Sequence, residues 1–543
     1  MACELAAERV HFVTALPAAS SVMNIESAHG GEGRRDVAGA VPPVLADEHF
    51  EGVGQVVVFA RAAQRVWAKY AIGEKLAMFR RIRARLAERA GDLAVEGSSP
   101  GHPVCEVLAA ELLPLMEACR FLERNAEGIL STKVLGSAEK PLWLGSVQGQ
   151  IRREPHGVVG VISPSNYPLF LGAVQVLQAL VAGNAVLWKP AVGCSEVAQS
   201  FLSVLLECGL PRGVLHVLSD SEERGRELVE QGLDKVFFTG SHDVGVRVAK
   251  VLSGRAIPLV AELSGCDAMF VLEDAEMQRV GAALRFGLGF NNSRTCIAPR
   301  RVFVSRKVAV EFERVLSETV ASLPCLPVAE KDRARLAAVL SRARAAGVRF
   351  LHGAEGGDLH HPTTPVVAFV DRDSAPIFHG DFFFPVLSVM LVADDAEAIA
   401  ADAGCPYALG ATIFTRSESA AEHVASNIRA GCIVVNDVIV PTADPRIPFG
   451  GSLRSGHGVT RGAEGLLEMT RVKVVQTRRG GIPPHLSGEA PPPALLLALI
   501  RVLHGGTLRD RARALWAAAR LGFQQWRQMR LRKDFKETKK KQD

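Results

Sequence analysis

The sequence lacks the patterns that mark several classes of protein. Its ten cysteines form no C-x-x-C pair and show no cysteine and histidine spacing of a metal site, which argues against a structural zinc and indicates a reducing compartment. The amino terminus has no basic start followed by an apolar run, so we expect no secretory signal and a cytoplasmic location. No apolar run approaches the ~20 residues of a membrane-spanning helix.

The composition that remains is typical of a globular enzyme. The chain has 543 residues, of which 48% are hydrophobic and 22% are charged, and this length predicts two or three domains. The net charge is +5, but the basic side chains concentrate at the end, where residues 501–543 hold 13 lysines and arginines against 4 aspartates and glutamates. The chain therefore has a basic tail on a mildly acidic body. We expect no nucleic-acid partner.

Short apolar segments alternate with helix-like segments through the middle of the chain. Buried strands that alternate with helices predict a parallel, doubly wound sheet, whose ligands bind beyond the carboxyl ends of the strands. The strands predicted between Gly157 and Val271 cover residues 158–162, 185–188, 214–218, 235–238, 259–261 and 269–272. A second alternation, from Arg301 to Asn436, predicts a second α/β domain with strands over residues 386–392, 411–414 and 433–435.

Three further elements precede this region. Apolar residues at helical spacing from Glu74 to Leu93 predict an amphipathic helix, and a second helix is predicted over residues 104–125. Two extended segments, residues 142–144 and 147–153, lie on either side of Gly145. They predict a protruding hairpin.

One cysteine lies where a reactive thiol is expected. Cys296 belongs to the run FGFNNSRTCIAPRRVFV, a turn rich in Gly, Asn and Ser between a helix-like stretch and the strand-like Val302 to Val304. Backbone N–H groups are free at such a boundary, and they lower the pKa of a thiol and bind an oxyanion. Cys296 is thus a candidate nucleophile, although an isolated cysteine is more often a structural residue.

The loop ISPSNYPLF follows the first strand of the predicted sheet. In it, Pro164 and Pro168 fix the backbone on either side of Asn166. An oxyanion hole requires a donor that is aimed before charge develops, and a rigidly held side-chain amide meets that requirement. Taken alone, an asparagine in a turn is more often structural.

Other strand-to-helix loops have the composition of a dinucleotide site. LWKPA places Lys189 at the end of a strand, where its ammonium can reach ribose hydroxyls or a phosphate. In FFTGSHDVG, Gly240 and Ser241 follow a strand and Gly245 opens a helix, and glycines there let the backbone approach a pyrophosphate. Gly225, predicted to open another helix, is a weaker signal of the same kind. None of these loops forms the G-x-G-x-x-G fingerprint.

The segment VAELSG contains a candidate general base. It places Glu262 at the end of an apolar strand and Gly265 in the turn that follows. A carboxylate among apolar neighbours has a raised pKa, which makes it a competent base near neutral pH. An isolated glutamate at a strand end more often faces solvent.

Taken together and in order, these loops resemble the aldehyde dehydrogenase superfamily. The resemblance covers roughly residues 50 to 480, and it implies an α/β fold with a doubly wound cofactor-binding domain, a second α/β catalytic domain and a small oligomerisation hairpin. It also implies an NAD(P)-dependent oxidoreductase that acts on aldehydes. The matching segments are ISPSNYPLF, LWKPA, FFTGSHDVG, VAELSG, NNSRTCIAPRRVFV, FFFPVLSVM, CPYALGATIF and PFGGSLRSGHG.

The resemblance assigns roles to individual residues. Cys296 would be the nucleophile, Glu262 the general base and Asn166 the oxyanion donor, and the chemistry needs no metal. Asp381 and Phe383 would lie at the nicotinamide riboside. The residues implied to bind NAD or NADP are Ser163, Pro164, Lys189, Gly225, Gly240, Ser241, Gly245, Asp381 and Phe383.

Several positions depart from the pattern usual in the family. Ser165 replaces a tryptophan and would reshape the substrate entrance. Val192 replaces a glutamate that binds the adenosine ribose diol, and its loss makes NADP as plausible a cofactor as NAD. Asp381 replaces a longer glutamate. Ser293 and Arg294 replace a glycine and glutamine before the nucleophile, and a cation at Arg294 would favour the thiolate if it lies close in space.

The implied reaction proceeds through the sulfur of Cys296. Its thiolate attacks the aldehyde to form a thiohemiacetal, whose oxyanion is held by Asn166 and the backbone N–H of Cys296. Loss of hydride leaves a thioester, and Glu262 activates the water that hydrolyses it to a carboxylic acid. Two alternatives stay open: acyl transfer to coenzyme A or phosphate, and a non-catalytic scaffold protein of the same fold with a membrane- or partner-binding basic tail.

The resemblance also predicts the organisation of the chain. A homodimer or homotetramer is expected, joined through the hairpin and the late strand over residues 472–476. The expected segments are a loosely ordered lead-in (1–50), a dinucleotide-binding domain (51–265) with the oligomerisation hairpin (138–155), a catalytic domain (266–446), a return to the cofactor domain with the oligomerisation strand (447–480) and a basic extension (481–543).

The extension begins with the linker GGIPPHLSGEAPPP and continues with a predicted apolar helix over residues 494–503. In the last segment Leu515, Ala519 and Phe523 recur at helical spacing among arginines. An amphipathic basic helix of this kind can lie on an anionic membrane surface. We therefore expect either a peripheral membrane contact or packing of this helix on the protein body.

Overall fold

The structure of the chain is a computed structural model. It describes residues 52–99, 101–353, 359–371, 377–481, 484–486 and 492–539. The lead-in predicted over residues 1–50 lies outside the described residues.

The helices mostly cover the faces of two large sheets. Their apolar residues recur every three or four positions, so that one side of each helix is buried. Within the described residues the helices are α1 (Val53–Trp67), α2 (Ile72–Glu88), α3 (Ala90–Gly97), α4 (Val104–Val107), α5 (Leu113–Leu130), α6 (Phe170–Val181), α7 (Ser195–Glu207), α8 (Glu222–Val229), α9 (His242–Ser253), α10 (Met277–Gly289), α11 (Ala309–Ala321), α12 (Glu330–Ala345), α13 (Asp395–Ala403), α14 (Glu418–Asn427), α15 (Gly462–Glu468), α16 (Pro493–His504) and α17 (Leu508–Lys539).

The strands are short and most are buried. In the same described ranges they are β1 (Lys133–Val134), β2 (Val147–Pro155), β3 (Val158–Ile162), β4 (Ala185–Lys189), β5 (Leu215–Val217), β6 (Lys235–Thr239), β7 (Leu259–Glu262), β8 (Asp267–Val271), β9 (Pro299–Ser305), β10 (Arg349–His352), β11 (Val366–Val370), β12 (Val386–Val392), β13 (Tyr407–Ala408), β14 (Gly410–Phe414), β15 (Cys432–Val435), β16 (Ser452–Leu453), β17 (Gly456–His457) and β18 (Thr470–Arg478).

The first large sheet has six strands in the order β17-β7-β6-β3-β4-β5. The five strands β3 to β7 run parallel to one another, and β17 pairs antiparallel with β7 at one edge. Successive side chains enter two separate cores: Val186 and Trp188 pack in one, while Ala185 and Leu187 pack in the other. Burial on both faces explains why these strands are apolar throughout. The predicted doubly wound sheet is confirmed.

The second large sheet has seven strands in the order β10-β11-β12-β9-β8-β14-β15, all parallel except β10. The predicted strand at residues 269–272 corresponds to β8, which we had grouped with the first alternation. It lies instead between β9 and β14 of the second sheet. The chain crosses from one sheet to the other in residues 263–266, directly after Glu262.

A third, antiparallel sheet has the order β1-β2-β18. Strands β2 and β18 pair over their full length, from Thr470 opposite Pro155 to Arg478 opposite Val147. The extended segment predicted at residues 142–144 is wrong, because Leu142–Leu144 forms a 3₁₀ turn. The N–H of Leu144 donates to the carbonyl of Pro141 at 3.0 Å, and this bond closes the turn.

Two predicted helices have different limits in the structure. The helix expected from Glu74 to Leu93 is divided into α2 and α3 at Arg89, whose φ of −96° and ψ of 9° break the helical path. The helix expected over residues 104–125 is formed by α4 and α5, which a π-helical segment, Leu108–Leu112, joins. Both changes are local, and the apolar side chains of α2 and α5 remain buried.

The C-terminal helices α16 and α17 contact each other, and they bury small side chains: Ala498 on α16, with Ala514 and Ala518 on α17. Their large apolar side chains are exposed, namely Leu496, Leu497, Leu499, Ile500, Leu508, Leu515, Trp516 and Phe523. Among the residues that the structure describes, no helix combines the length and apolar character needed to cross a bilayer.

Candidate active site

The predicted nucleophile follows a turn of unusual backbone conformation. After α10, the consecutive residues Asn291, Asn292 and Ser293 have φ values of 48°, 53° and 60°. Asparagine is among the non-glycine residues that tolerate the left-handed region best, but three such residues in succession need external support. The turn therefore depends on the side chains around it.

That support comes from buried polar groups. The Nδ2 of Asn291 donates to the carbonyl of Asn166 at 2.7 Å, and its backbone N–H donates to Oε2 of Glu106 at 3.1 Å. The guanidinium of Arg300, itself buried, donates to Oγ of Ser293 at 2.6 Å and also to the Ser293 carbonyl. Ser293 is thus an anchor of the turn that carries the nucleophile.

Cys296 is partly exposed at the end of this turn. Its backbone lies against Gly265, where an added Cβ would come within 2.3 Å of the Cys296 carbonyl oxygen. Burial raises the pKa of the Cys296 thiol to about 12, with further contributions from the charges of Asp267 and Glu262. The expected lowering of this pKa by backbone N–H groups has the right sign, but burial outweighs it.

Asn166 lies beside the turn and is buried. Its Nδ2 donates to the carbonyl of Arg294 at 3.0 Å, which leaves the second N–H of the amide for another acceptor. The guanidinium of Arg294 approaches Oγ of Ser165 at 3.4 Å. The positive charge of Arg294 lowers the pKa of Cys194.

A buried carboxylate that sequence reasoning missed fixes the loop of Asn166. Oε2 of Glu111 accepts hydrogen bonds from the backbone N–H groups of Leu169 and Phe170 at 2.8 and 3.0 Å, at the start of α6. Oε1 of Glu111 contacts Nε2 of His102 at 2.9 Å. Burial lowers the pKa of His102, but its hydrogen bonds with Glu106 and Glu111 prevail and raise this pKa to about 9.

Tyr167 joins this loop to the nucleophile turn. Its hydroxyl forms a 2.5 Å hydrogen bond with Oγ1 of Thr295, the residue before Cys296. Burial raises the pKa of Tyr167. The phenol therefore stays neutral, and the loop and the turn behave as one hydrogen-bonded unit.

Glu262 ends β7 and is buried, as its apolar neighbours predicted. Burial raises the pKa of its carboxyl, while the positive charge of Arg461 and a hydrogen bond from Thr460 act in the opposite direction. The hydroxyl of Thr460 donates to Oε1 of Glu262 in a short contact. The negative charge of Glu262 raises the pKa of the Cys296 thiol, so the carboxylate and the thiol lie near each other.

Arg461 and Thr460 are site residues that sequence reasoning missed. The guanidinium of Arg461 is buried, and its charge acts on Glu262 and Cys296. Both residues follow the family-like segment PFGGSLRSGHG and lie about 200 positions after Glu262 along the chain. A polar pair next to a glycine-rich segment was the available signal.

On the cofactor side, Lys189 ends β4 and its aliphatic stem lies along Gly225. A Cβ at Gly225 would be 3.5 Å from Cε of Lys189, which is ordinary van der Waals contact. Burial lowers the pKa of Lys189, although the charges of Asp220 and Glu222 oppose this shift. Gly225 lies inside α8 and does not open a helix, because α8 already begins at Glu222.

The loop after β6 presents backbone and hydroxyl donors. Ser241 occupies the position before α9, and its side chain forms no capping hydrogen bond with the helix. Gly245 is the fourth residue of α9 and does not open it; a Cβ there would lie 2.4 Å from Leu263. At Gly240 a Cβ would lie 2.7 Å from the ring of Phe238. The strand-to-helix turn thus allows close approach of an anionic group to the start of α9.

The two remaining predicted cofactor loops contain Ser163 and Pro164, and Asp381 and Phe383. Oγ of Ser163 accepts a 2.8 Å hydrogen bond from Nε1 of Trp188, so its hydroxyl oxygen is already engaged, and Pro164 beside it is partly exposed. Asp381 forms an ion pair with Arg335. The charge of Asp381 also acts on Arg300, which links this loop to the nucleophile turn. Phe383 is partly exposed between buried neighbours.

These groups fit a nicotinamide dinucleotide. Lys189 and the start of α9 supply positive potential for phosphates or hydroxyl recognition, and the glycines leave room for the backbone to approach. Val192, beside Lys189, is exposed and offers no carboxylate to repel a 2′-phosphate.

Arg461 also lines a small cavity with free space of about 10 Å³, enough for about one water molecule. Its wall is predominantly apolar and includes Phe121, Leu122, Phe170 and Val174. It therefore offers an apolar surface next to Arg461, whose charge lowers the pKa values of Glu262 and Cys296.

Comparison with known proteins agrees with this geometry. A profile of the Aldehyde dehydrogenase family matches residues 45–475. The chain belongs to the aldehyde dehydrogenase family. The 4,4'-diapolycopene aldehyde oxidase of Methylomonas sp is 29% identical over 443 residues, which are 79% of this chain and 82% of that protein.

Two solved aldehyde dehydrogenase-fold structures are similar over most of this chain. The Mycobacterium tuberculosis aldehyde dehydrogenase complexed with NAD+ has a TM-score of 0.71 and 27% identity, and covers 78% of this chain and 90% of that chain. The NADP-dependent glyceraldehyde-3-phosphate dehydrogenase from Bacillus halodurans C-125, complexed with NADP, has a TM-score of 0.69 and 26% identity, covering 78% and 91%. The predicted fold, enzyme class and NAD or NADP cofactor are confirmed for this family member.

Proposed function

We propose that this aldehyde dehydrogenase oxidises its substrate to a carboxylic acid through a thioester on Cys296. The observation that carries the proposal is the convergence of three predicted groups. Asn166 bonds to the carbonyl of Arg294, two residues before Cys296, and the charge of Glu262 acts on the thiol. Both observations support a site in which Cys296 is the nucleophile, Asn166 the oxyanion donor and Glu262 the base.

The first step requires the Cys296 thiol to lose its proton, because the thiol is protonated at neutral pH when its pKa is about 12. Glu262, whose pKa is raised by burial, is the base available to take that proton. The sulfur then bonds to the aldehyde carbon. The free N–H of the Asn166 amide and the backbone N–H of Cys296 stabilise the resulting oxyanion.

A bound nicotinamide dinucleotide supplies a hydride acceptor, and Lys189, Ser241, Asp381 and Phe383 are the residues that would hold it. After oxidation the acyl group is a thioester of Cys296. Glu262 first releases the thiol's proton to solvent, so that it is ionised again. It then accepts a proton from water as the water oxygen bonds to the acyl carbon, and the sulfur leaves as a thiolate that takes this proton from Glu262. The products are the carboxylic acid and the regenerated thiol.

Replacement of Glu262 by Gln tests the second half of this sequence. We expect hydrolysis to fall by about 10²- to 10⁴-fold, the usual contribution of a general base, while acylation continues at about pH 9 to 10, where hydroxide can take the thiol's proton in place of Glu262. Rapid mixing should then show a burst of reduced dinucleotide equal to the enzyme concentration, and mass spectrometry should find the acyl group on the Cys296 peptide. An acyl-coenzyme A product from the wild type would contradict hydrolysis as the natural outcome.

We further propose an aldehyde with an apolar body as the substrate. The apolar side chains that line the small cavity beside Arg461 support this assignment, as does the similarity to the relative named 4,4'-diapolycopene aldehyde oxidase. A panel of aliphatic, aromatic and carboxylated aldehydes, run with NAD and with NADP, should show kcat/KM rising with apolar area. A preference for carboxylated aldehydes would contradict it.

The domain limits and subunit contact also remain proposals. The six- and seven-stranded sheets would form the cofactor domain (51–265, with 447–480) and the catalytic domain (266–446). Strand β18 exposes Val472 and Val474, by 56% and 57%, and exposed apolar strands favour association. We expect Val474→Glu to shift the oligomer toward monomer in light scattering, whereas an unchanged mass would rule out this contact.

For the tail, we propose peripheral contact with an anionic membrane through α16 and α17. Trp516 and Phe523 are 69% and 63% exposed on one side of α17, and Arg509, Arg513 and Arg520 flank that side at helical spacing. The full chain should sediment with vesicles that contain phosphatidylserine and not with neutral vesicles. Equal binding by a Trp516→Ser/Phe523→Ser variant would contradict a role for the apolar face.

A further inference from the structure

Arg461 has a buried charge for which the reaction proposed above assigns no role. The residue is 6% exposed. Its guanidinium carbon lies 4.4 Å from the centroid of the Phe449 ring, and Nη1 donates to the Thr442 carbonyl at 2.7 Å. A buried charge is costly unless an opposite charge compensates it. The groups around Arg461 therefore indicate which negative charges its guanidinium stabilises.

Several titratable groups face this centre from different elements. They are Glu262 on β7, Asp267 on β8, Cys296 in the nucleophile turn, Cys432 on β15 and Arg461 itself. Thr460 bonds to Oε1 of Glu262, so the chain immediately before Arg461 is in direct contact with the base. Cys296 packs against the apolar cluster that contains Phe449, the ring that the Arg461 guanidinium faces. The positive charge of Arg461 therefore lies near both Glu262 and Cys296, and it lowers the pKa of each.

The backbone of Arg461 is strained. Its φ of 61° and ψ of 176° lie in a region that glycine adopts readily and other residues rarely do. The conformation is held by hydrogen bonds on both sides: the N–H of Arg461 donates to Oε1 of Gln178 at 3.3 Å, and its carbonyl accepts from the N–H of Gly465 at 2.8 Å. Strain of this kind persists where the surrounding structure fixes it, and it is concentrated at functional sites.

We propose that Arg461 is a positioning residue whose fixed positive charge stabilises the carboxylate of Glu262 and the thiolate of Cys296, and so sets the pH range of the reaction. The inference rests on the proposed function. Contact with the Phe449 ring and the Thr442 carbonyl holds the guanidinium in place, as electrostatic preorganisation requires. The same position borders the apolar cavity, so recognition of a substrate carboxylate is the competing role that a test must separate.

The sign of the expected effect follows from the two acids. Glu262 must be ionised to accept a proton and Cys296 must lose its proton to attack, and a nearby positive charge lowers the pKa of each acid. Removal of the charge raises both values. The acid limb of kcat, where activity is lost as pH falls, therefore moves to higher pH.

The test compares Arg461→Leu with Arg461→Gly. Both remove the charge, but glycine also relieves the backbone strain, so a purely structural role would affect the two variants differently. We expect both to move the acid limb of kcat upward by about one to three pH units, the usual influence of a charge in contact. Arg461→Lys should restore most of the wild-type profile. Arg416→Leu, at an exposed arginine, is the matched control and should leave it unchanged.

A second readout does not depend on turnover. The rate at which iodoacetamide alkylates Cys296, followed on its peptide by mass spectrometry at fixed pH, should fall about tenfold for each unit of pKa increase in both neutral variants. Unchanged alkylation together with an unchanged acid limb would overturn the proposal. So would a raised KM for succinic semialdehyde alone, which would identify Arg461 as a substrate-carboxylate ligand.

These outcomes are separable from failure of the proposed function. If the wild type forms no acyl group on Cys296 with any aldehyde, the thioester reaction is wrong. If the wild type forms it and the neutral variants keep the wild-type pH profile, only the role of Arg461 is wrong. Should neither neutral variant fold, Phe449→Leu, which frees the guanidinium without removing it, should move the limb in the same direction by a smaller amount, and no movement would refute the role.

Discussion

The turn before Cys296 and the helical pair α16 and α17 are stabilised in opposite ways. The turn has three left-handed residues in succession, and buried polar side chains such as Arg300 and Asn166 hold it. The helices have regular backbone, yet they leave large apolar side chains such as Trp516 in solvent. Strain held by the core is characteristic of a site where chemistry occurs, whereas exposed apolar surface is characteristic of one where a partner binds.

The largest effect expected from this contrast is the loss of the nucleophile. Cys296→Ala should reduce aldehyde oxidation on the order of 10⁴-fold or more, while dinucleotide binding measured by fluorescence stays intact. Cys325→Ala is the control, because that cysteine is exposed. Turnover retained by the Cys296 variant would remove the sulfur from the mechanism.

A smaller effect is expected when the turn is displaced without losing the thiol. Gly265→Ala introduces a Cβ within 2.3 Å of the Cys296 carbonyl oxygen, and a shift of the nucleophile by about 1 Å reduces kcat about 10²-fold. Gly128→Ala, in α5, has open space around it and should raise stability by about 0.5 to 1 kcal/mol with normal kcat. Equal kinetics for the two variants would mean that the turn is not held as tightly as the contacts indicate.

The third prediction concerns pH dependence in the free enzyme. Thiolate is the reactive form, and the pKa of Cys296 is raised to about 12, so its alkylation by iodoacetamide should increase about tenfold per pH unit between about pH 7 and 10. At neutral pH Cys296 should react more slowly than the exposed Cys325 in the same sample. A plateau near neutral pH would show that a cation outweighs burial at this sulfur.

The smallest effect is expected from the tail. A chain that ends after Gly481 should keep kcat and KM within about twofold for a water-soluble aldehyde, because distant, independent parts of a protein contribute separately. A large loss of kcat in solution would mean that α16 and α17 contribute to the site and not to location alone.

Sequence reasoning identified the loops of the site because each loop is continuous along the chain. Glu262 at a strand end and Asn166 between two prolines are local patterns, and the structure brings both beside the turn of Cys296. It missed Arg461 and Glu111, whose relation to these loops exists only after folding. The net direction of the Cys296 pKa shift differs from the prediction for the same reason: burial by distant segments outweighs the lowering by backbone N–H groups.

The short crossing between the two large sheets has a mechanical consequence. Residues 263–266 join β7 to β8. Glu262 directly precedes this segment, and Gly265, which lies against the Cys296 carbonyl, is its third residue. If the crevice opens to exchange a dinucleotide, this crossing lies close to the axis of rotation, where displacement is smallest. The outer loops that contain Lys189 and Asp381 would then separate while the sulfur and its base keep their spacing, so that cofactor exchange would not require the reaction centre to be rebuilt in each cycle.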